Sequence, residues 1–124
     1  MLNNEQIKNR LKEQGWAEHV WNGGHDYLIN SWEEVVRQVE QGYTENYMVE
    51  EYWDDLDTRE AIKLVELDSE VVELDERFKK ALTHTDIRIK NGNNNDFWNY
   101  GYPKNAKGYF LQGFKDYIEY YKNN

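Results

Sequence analysis

The sequence predicts a mainly α fold: one compact helical domain over 1–124, with five or six helices and an irregular aromatic-rich connection before the last helix. Three observations predict it. There is 1 proline in 124 residues, so little interrupts a helix except glycine and asparagine. Apolar residues recur at three- and four-residue spacing along most of the chain, the period of a helix with one buried face. Trp, Tyr and Phe make up 15% of the residues, which supplies core area where aliphatics are few. That aromatic content also opposes the disorder that a mean hydropathy of −1.06 would suggest by itself.

Taken in order, Asn3 or Asn4 is placed to cap a first helix running to about Gln14, with Ile7 and Leu11 on one face and Gly15 just past the end. Trp16, Val20 and Trp21 form a helical turn or an extended core contact, which Gly23-Gly24 breaks. Ser31-Trp32-Glu33-Glu34 reads as a capping box opening a helix that buries Val35, Val36 and Val39 and stops before Gly42. Thr44 is expected to cap a third helix, about Glu45 to Asp55. Its apolar face would hold Met48, Val49, Tyr52 and Trp53, opposite Glu50, Glu51, Asp54 and Asp55. Asp57-Thr58-Arg59-Glu60 reads as another capping box, opening a helix to about Leu67.

Asp68 or Ser69 is expected to cap the next helix, to about Leu82, with Glu73–Arg77, Asp75–Lys79 and Glu76–Lys80 as ion pairs one turn apart. His84 to Lys90 is either a strand or extended coil, followed by an Asn91-Gly92 turn. The connection through Phe97, Trp98, Tyr100, Tyr102 and Pro103 is too apolar for a free linker and should pack back on the helices. A last helix, about Tyr109 to Tyr121, is weakened by Gly108 and Gly113.

Charge is distributed unevenly. Of 24 acidic residues, 13 lie between Glu45 and Glu76, where only Arg59 and Lys63 are basic. That segment is net −11 and the other 92 residues are net +2, which together give the chain's −9. Such a surface selects a basic protein as partner and disfavours nucleic acid, whose phosphates need clustered Lys and Arg. The caps and the expected pairs at Arg77, Lys79 and Lys80 account for much of this acidity. The face Glu50, Glu51, Asp54 and Asp55, with Tyr43 and Tyr47 beside it as aromatic anchors, is left as the candidate contact site.

Several functions are excluded or weakened. With no cysteine, there is no disulfide, thiolate catalysis or Cys-ligated metal. Ser31 and Ser69 are the only serines and both are expected caps; no GxSxG, Walker A or HExxH pattern occurs. Asp55-x-Asp57-x-Arg59 starts like a calcium loop but has Arg and then Glu60 where an oxygen ligand and a glycine are required. Asp75 is the carboxylate best placed for partial burial, with Lys79 as its expected partner. Asp26 beside His25 and Asp86 near His84 could orient an imidazole. No apolar run approaches the length of a membrane span. The first fifteen residues, with Glu5, Lys8, Arg10, Lys12 and Glu13, lack the pattern of a signal peptide, so a cytoplasmic location is expected.

The reading is a non-enzymatic acidic protein-binding module with no cofactor and no metal, of the kind that inhibits or confers immunity to a basic protein. Two alternatives stand beside it: a metal-assisted hydrolase or small-ligand-binding protein using the carboxylates or histidines, and a homo-oligomer whose aromatic surface is a subunit interface.

Overall fold

The computed structural model describes residues 1–85 and 100–122, with the side chains of the last two left out. The predicted mainly α class holds: among the described residues there are five α-helices and no strand, only an isolated antiparallel bridge between Leu82 and Pro103. Helix α1 is Asn4–Glu13, α2 Glu18–Gln41, α3 Val49–Leu64, α4 Val72–Lys80 and α5 Gly108–Lys122. Helix α2 packs against α1, α3 and α4, and α5 packs on α3.

Helix α1 starts as the sequence predicts. Asn3 and Gln6 form a reciprocal capping box, and Gly15 follows the helix with φ +84. Asn4 has a different task. Its Oδ1 accepts the His25 backbone N–H at 3.0 Å, where Gly24 (φ 64, ψ −146) kinks α2. This corrects the capping box placed at Ser31. The long arm of α2 starts just after Gly24, and Ser31 lies in mid-helix. Leu28, Trp32, Val35, Val36 and Val39 form one continuous buried stripe across the expected start. The cap is supplied by a residue 21 positions away, beyond the reach of a local pattern.

The two helices predicted over 45–67 are one. Helix α3 opens at Val49 behind Met48, not behind Thr44, and runs through Asp57 without a break. Val49, Tyr52, Leu56 and Arg59 keep a three–four spacing of buried residues across that point, so there is no register change for a cap to mark. The helix predicted behind Asp68 or Ser69 is also shorter. Asp68–Glu70 form a 3-10 turn, and α4 begins at Val72 and ends at Lys80.

Two of the expected ion pairs one turn apart on α4 give way to tertiary ones, and the third to a contact within the helix. Asp75 binds Arg59 rather than Lys79, Arg77 binds Glu40, and Lys79 lies 4.0 Å from Glu76. Local pairs contribute only about 0.2–0.5 kcal/mol each, so a neighbouring helix readily outbids them. Most of the predicted strand and the whole Asn91-Gly92 turn lie outside the described residues. The connection from Tyr100 onward does pack back. Gly101 is buried, Tyr102 stacks on Phe114 at 4.9 Å, and the Tyr52 hydroxyl donates to the Gly101 carbonyl at 3.0 Å. Gly42 closes this region, since a Cβ there would meet the Asn105 carbonyl oxygen at 2.3 Å.

Candidate functional site

Arg59 is the only buried charged residue among those described, at 5% exposed. Its guanidinium donates to both oxygens of Asp75 (3.0 and 2.9 Å) and also pairs with Asp68. The Trp32 indole, fully buried, donates to the same Asp75 at 3.0 Å. Asp75, the carboxylate expected to be partly buried, is thus occupied on both oxygens. A buried guanidinium held between two carboxylates is a structural device. Elsewhere Glu66 pairs with Arg10 (2.9 Å), and Glu70 with the His25 ring (2.8 Å). Asp26 takes the other His25 nitrogen at 2.8 Å, as its position beside the histidine suggested. These two carboxylates, Asp26 first, raise the His25 pKa above 6.5 against a smaller opposing effect of burial. His19 sits edge-on to Tyr27, and His84 to Tyr100.

The N-terminal half of α3 is different. Glu50, Glu51 and Asp54 are exposed and pair with no base among the described residues. They form a ridge of negative charge. Asp54 also borders a cleft of about 300 Å³ beside Trp16, His19 and Tyr27.

Asp55 and the two tyrosines named with that face are placed together but not on the open surface. Tyr43 and Tyr47 stack at 4.2 Å with 22° between their planes, and both hydroxyls donate to Asp55 Oδ2, at 2.9 and 2.8 Å. Tyr47 precedes α3 and lies outside the helix that was expected to start at Glu45. Both rings meet Phe110 of α5 edge-on, at 5.3 and 5.5 Å. Tyr43 holds a left-handed backbone (φ 57) next to left-handed Gly42, a conformation unfavourable for an aromatic residue. The stack and the Asp55 hydrogen bond hold it there.

Burial raises the Asp55 pKa, and Asp54 and Glu51 add to the rise. The two tyrosine hydrogen bonds oppose it without cancelling it. Burial first, and then the Asp55 carboxylate, push both tyrosine hydroxyls far above their ordinary value, so neither ionises near neutrality.

Next to the ridge lies a groove of about 190 Å³ between α3 and α5. Trp53, Tyr47, Tyr109 and Tyr117 wall it, and Glu50 and Asp116 stand among them. The helix wheel of α3 shows Trp53 only as a core residue. The groove depends on how α5 crosses α3, and the sole local signal is Gly113 inside a helix. A Cβ at Gly113 would lie 2.8 Å from Val49 Cγ2, so the glycine lets α5 approach.

Among the described residues, no group of three or more His, Cys, Asp or Glu is placed to hold a metal ion, and no helix is long and apolar enough to cross a membrane. No family model matches the chain, and comparison with curated proteins and with solved structures finds no match.

Proposed function

We propose that the protein is a non-enzymatic binding module that docks on a basic protein through the ridge Glu50, Glu51 and Asp54, with the Tyr43–Tyr47–Asp55 cluster bracing the ridge from its flank. The observation that carries this reading is a contrast in pairing. Glu66, Asp68, Glu70 and Asp75 are drawn into ion pairs with Arg10, Arg59 and His25, while the three ridge acids are left facing solvent on adjacent turns of one helix. Like charges placed together without counter-ions weaken a helix slightly. The same arrangement speeds encounter with a partner of opposite charge and disfavours wrong partners.

The cluster behind the ridge suits a support role. Asp55 is fixed by two hydroxyls, so the first turns of α3 are tied to the loop that leads into them. An inhibitor or immunity-type partner of a basic enzyme would use such a face, and that assignment rests on charge complementarity alone.

The test is affinity capture from native lysate with quantitative mass spectrometry, using the wild-type chain and Glu50→Lys/Glu51→Lys/Asp54→Lys. Loss of a basic protein from the triple variant is the expected result. Unchanged capture would remove the ridge from the interface. Light scattering on the free protein addresses self-association: a monomer at micromolar concentration leaves the hetero-partner reading standing, and a dimer disrupted by the same triple variant would replace it.

A further inference from the structure

We propose that the groove between α3 and α5 is a side-chain pocket that takes an arginine of the basic partner; this rests on the docking reading above and adds to it the group that is recognised. Four properties of the groove point to that occupant. The first is size. At about 190 Å³ it falls below the roughly 300–1,000 Å³ that holds a drug-sized ligand, and it suits one long side chain. The second is its walls. Trp53 and Tyr117 meet at 4.8 Å and 64°, and Tyr47 and Tyr109 complete an aromatic lining whose ring faces attract a cation.

The third is charge. Glu50 stands at the α3 side and Asp116 at the α5 side. Asp116 accepts a hydrogen bond at 2.8 Å from the Gln112 amide, a partner that carries no charge. The fourth is exposure. Tyr109 is 68% exposed and Met48 46%, so two of the few large apolar side chains left open to solvent lie on this one groove, as they do at contact sites. Aromatic faces flanked by two carboxylates favour a planar guanidinium over an ammonium, because guanidinium stacks and forks at once and is the more weakly hydrated. Gly113 keeps the floor clear of a side chain where α5 meets Val49. The groove continues into the ridge through Glu50, so one basic segment can cross the ridge and seat an arginine in the pocket.

The experiment titrates the 15N-labelled protein with Nα-acetyl-arginine amide, and in parallel with the citrulline and lysine analogues, following the Trp53 indole N–H resonance by NMR (assigned with Trp53→Phe). Citrulline keeps the length and the planar head but lacks the charge. The expected result is a saturable shift of Trp53 with arginine, with about millimolar affinity for so small a probe. Citrulline should leave it unmoved and lysine should bind more weakly.

Glu50→Gln/Asp116→Asn changes two exposed side chains. It should weaken arginine binding roughly fivefold or more while the rest of the spectrum stays native. Equal shifts from citrulline, no shift with arginine, or tighter binding of lysine would each overturn the proposal. The two readings separate cleanly. If the ridge variant loses the basic protein while arginine leaves Trp53 unmoved, docking stands and the pocket falls. If arginine seats in the groove while capture ignores the ridge, the pocket exists and the docking face lies elsewhere.

Discussion

The acidic segment divides into two regions that treat the same chemistry in opposite ways. At its C-terminal end Asp68 and Asp75 close on Arg59, Asp75 also holds the Trp32 indole, and the buried charges are matched. At its N-terminal end Glu50, Glu51 and Asp54 stay open, and Asp55 is sheltered by tyrosine hydroxyls instead of a cation. The carboxyl groups record the difference. Glu40, beside Arg77, is held below the usual carboxylate range by that hydrogen bond. Asp55 is held above it by burial. Asp68 and Asp75 are tied into the fold through a base, Asp55 through two hydroxyls, and the three ridge acids through neither.

Breaking the matched end should have the largest effect. Arg59→Met removes the guanidinium from both aspartates and leaves Asp75 charged and half-satisfied beside the buried indole. A loss of about 3–5 kcal/mol in urea unfolding is expected, the usual cost of orphaning a buried ion pair. A loss under about 1 kcal/mol would place the hub among surface ion pairs.

The sheltered carboxylate comes next. Asp55→Ala leaves the Tyr43 and Tyr47 hydroxyls without their acceptor and should cost about 1–3 kcal/mol, whereas Asp55→Asn keeps an acceptor and should cost little. The two states of Asp55 also set a pH dependence. Its folded pKa lies above the ordinary 3.8 of an aspartate, so its contribution is most favourable below that value and is lost as pH rises through the folded pKa. The stability of wild type relative to Asp55→Asn should therefore fall with rising pH across the acidic range, and a flat difference would show that burial of the charge is unimportant.

His25 supplies a smaller test at the paired end. Its folded pKa is raised above 6.5. The stability it contributes through Asp26 and Glu70 is fully present below 6.5 and lost as pH rises through the folded value. The melting temperature of wild type relative to His25→Gln should drop between about pH 6 and 8, and a constant offset would mean the bridge is not ionic. The smallest effect belongs to the ridge. Glu50→Gln, Glu51→Gln and Asp54→Asn should each change stability by no more than about 0.5 kcal/mol, since each is exposed and unpaired. A larger loss for any one would give that residue a structural job.

The same division explains what the sequence discloses. Periodic burial is local, so the helical class, α1 with its Asn3 cap and Gly15 stop, the Val35–Val36–Val39 stripe and the last helix could all be read from spacing. The open face of Glu50, Glu51 and Asp54 was legible for the same reason. Long-range partners were not. Asn4 caps a helix in another part of the chain, Arg77 abandons Glu73 for Glu40, and Asp57 lies inside a helix it was expected to start. Packing between distant parts of the chain decides these positions, and a local ion pair worth a few tenths of a kcal/mol does not hold against it. The tyrosine cluster joins a loop to α3 and the groove arises only when α5 crosses α3, so no one-helix pattern contains them.

The most direct test of the docking reading is the association rate of the captured basic protein measured against ionic strength for two variants of equal net charge. Glu50→Lys/Glu51→Lys/Asp54→Lys reverses the ridge, and Glu5→Lys/Glu13→Lys/Glu73→Lys reverses three exposed acids elsewhere. The ridge variant should associate at least about tenfold more slowly at low salt and lose most of the wild-type salt dependence, while the remote variant stays close to wild type. Equal slowing by both would mean that net charge alone steers the encounter, and would contradict the assignment of the first turns of α3 as the docking face.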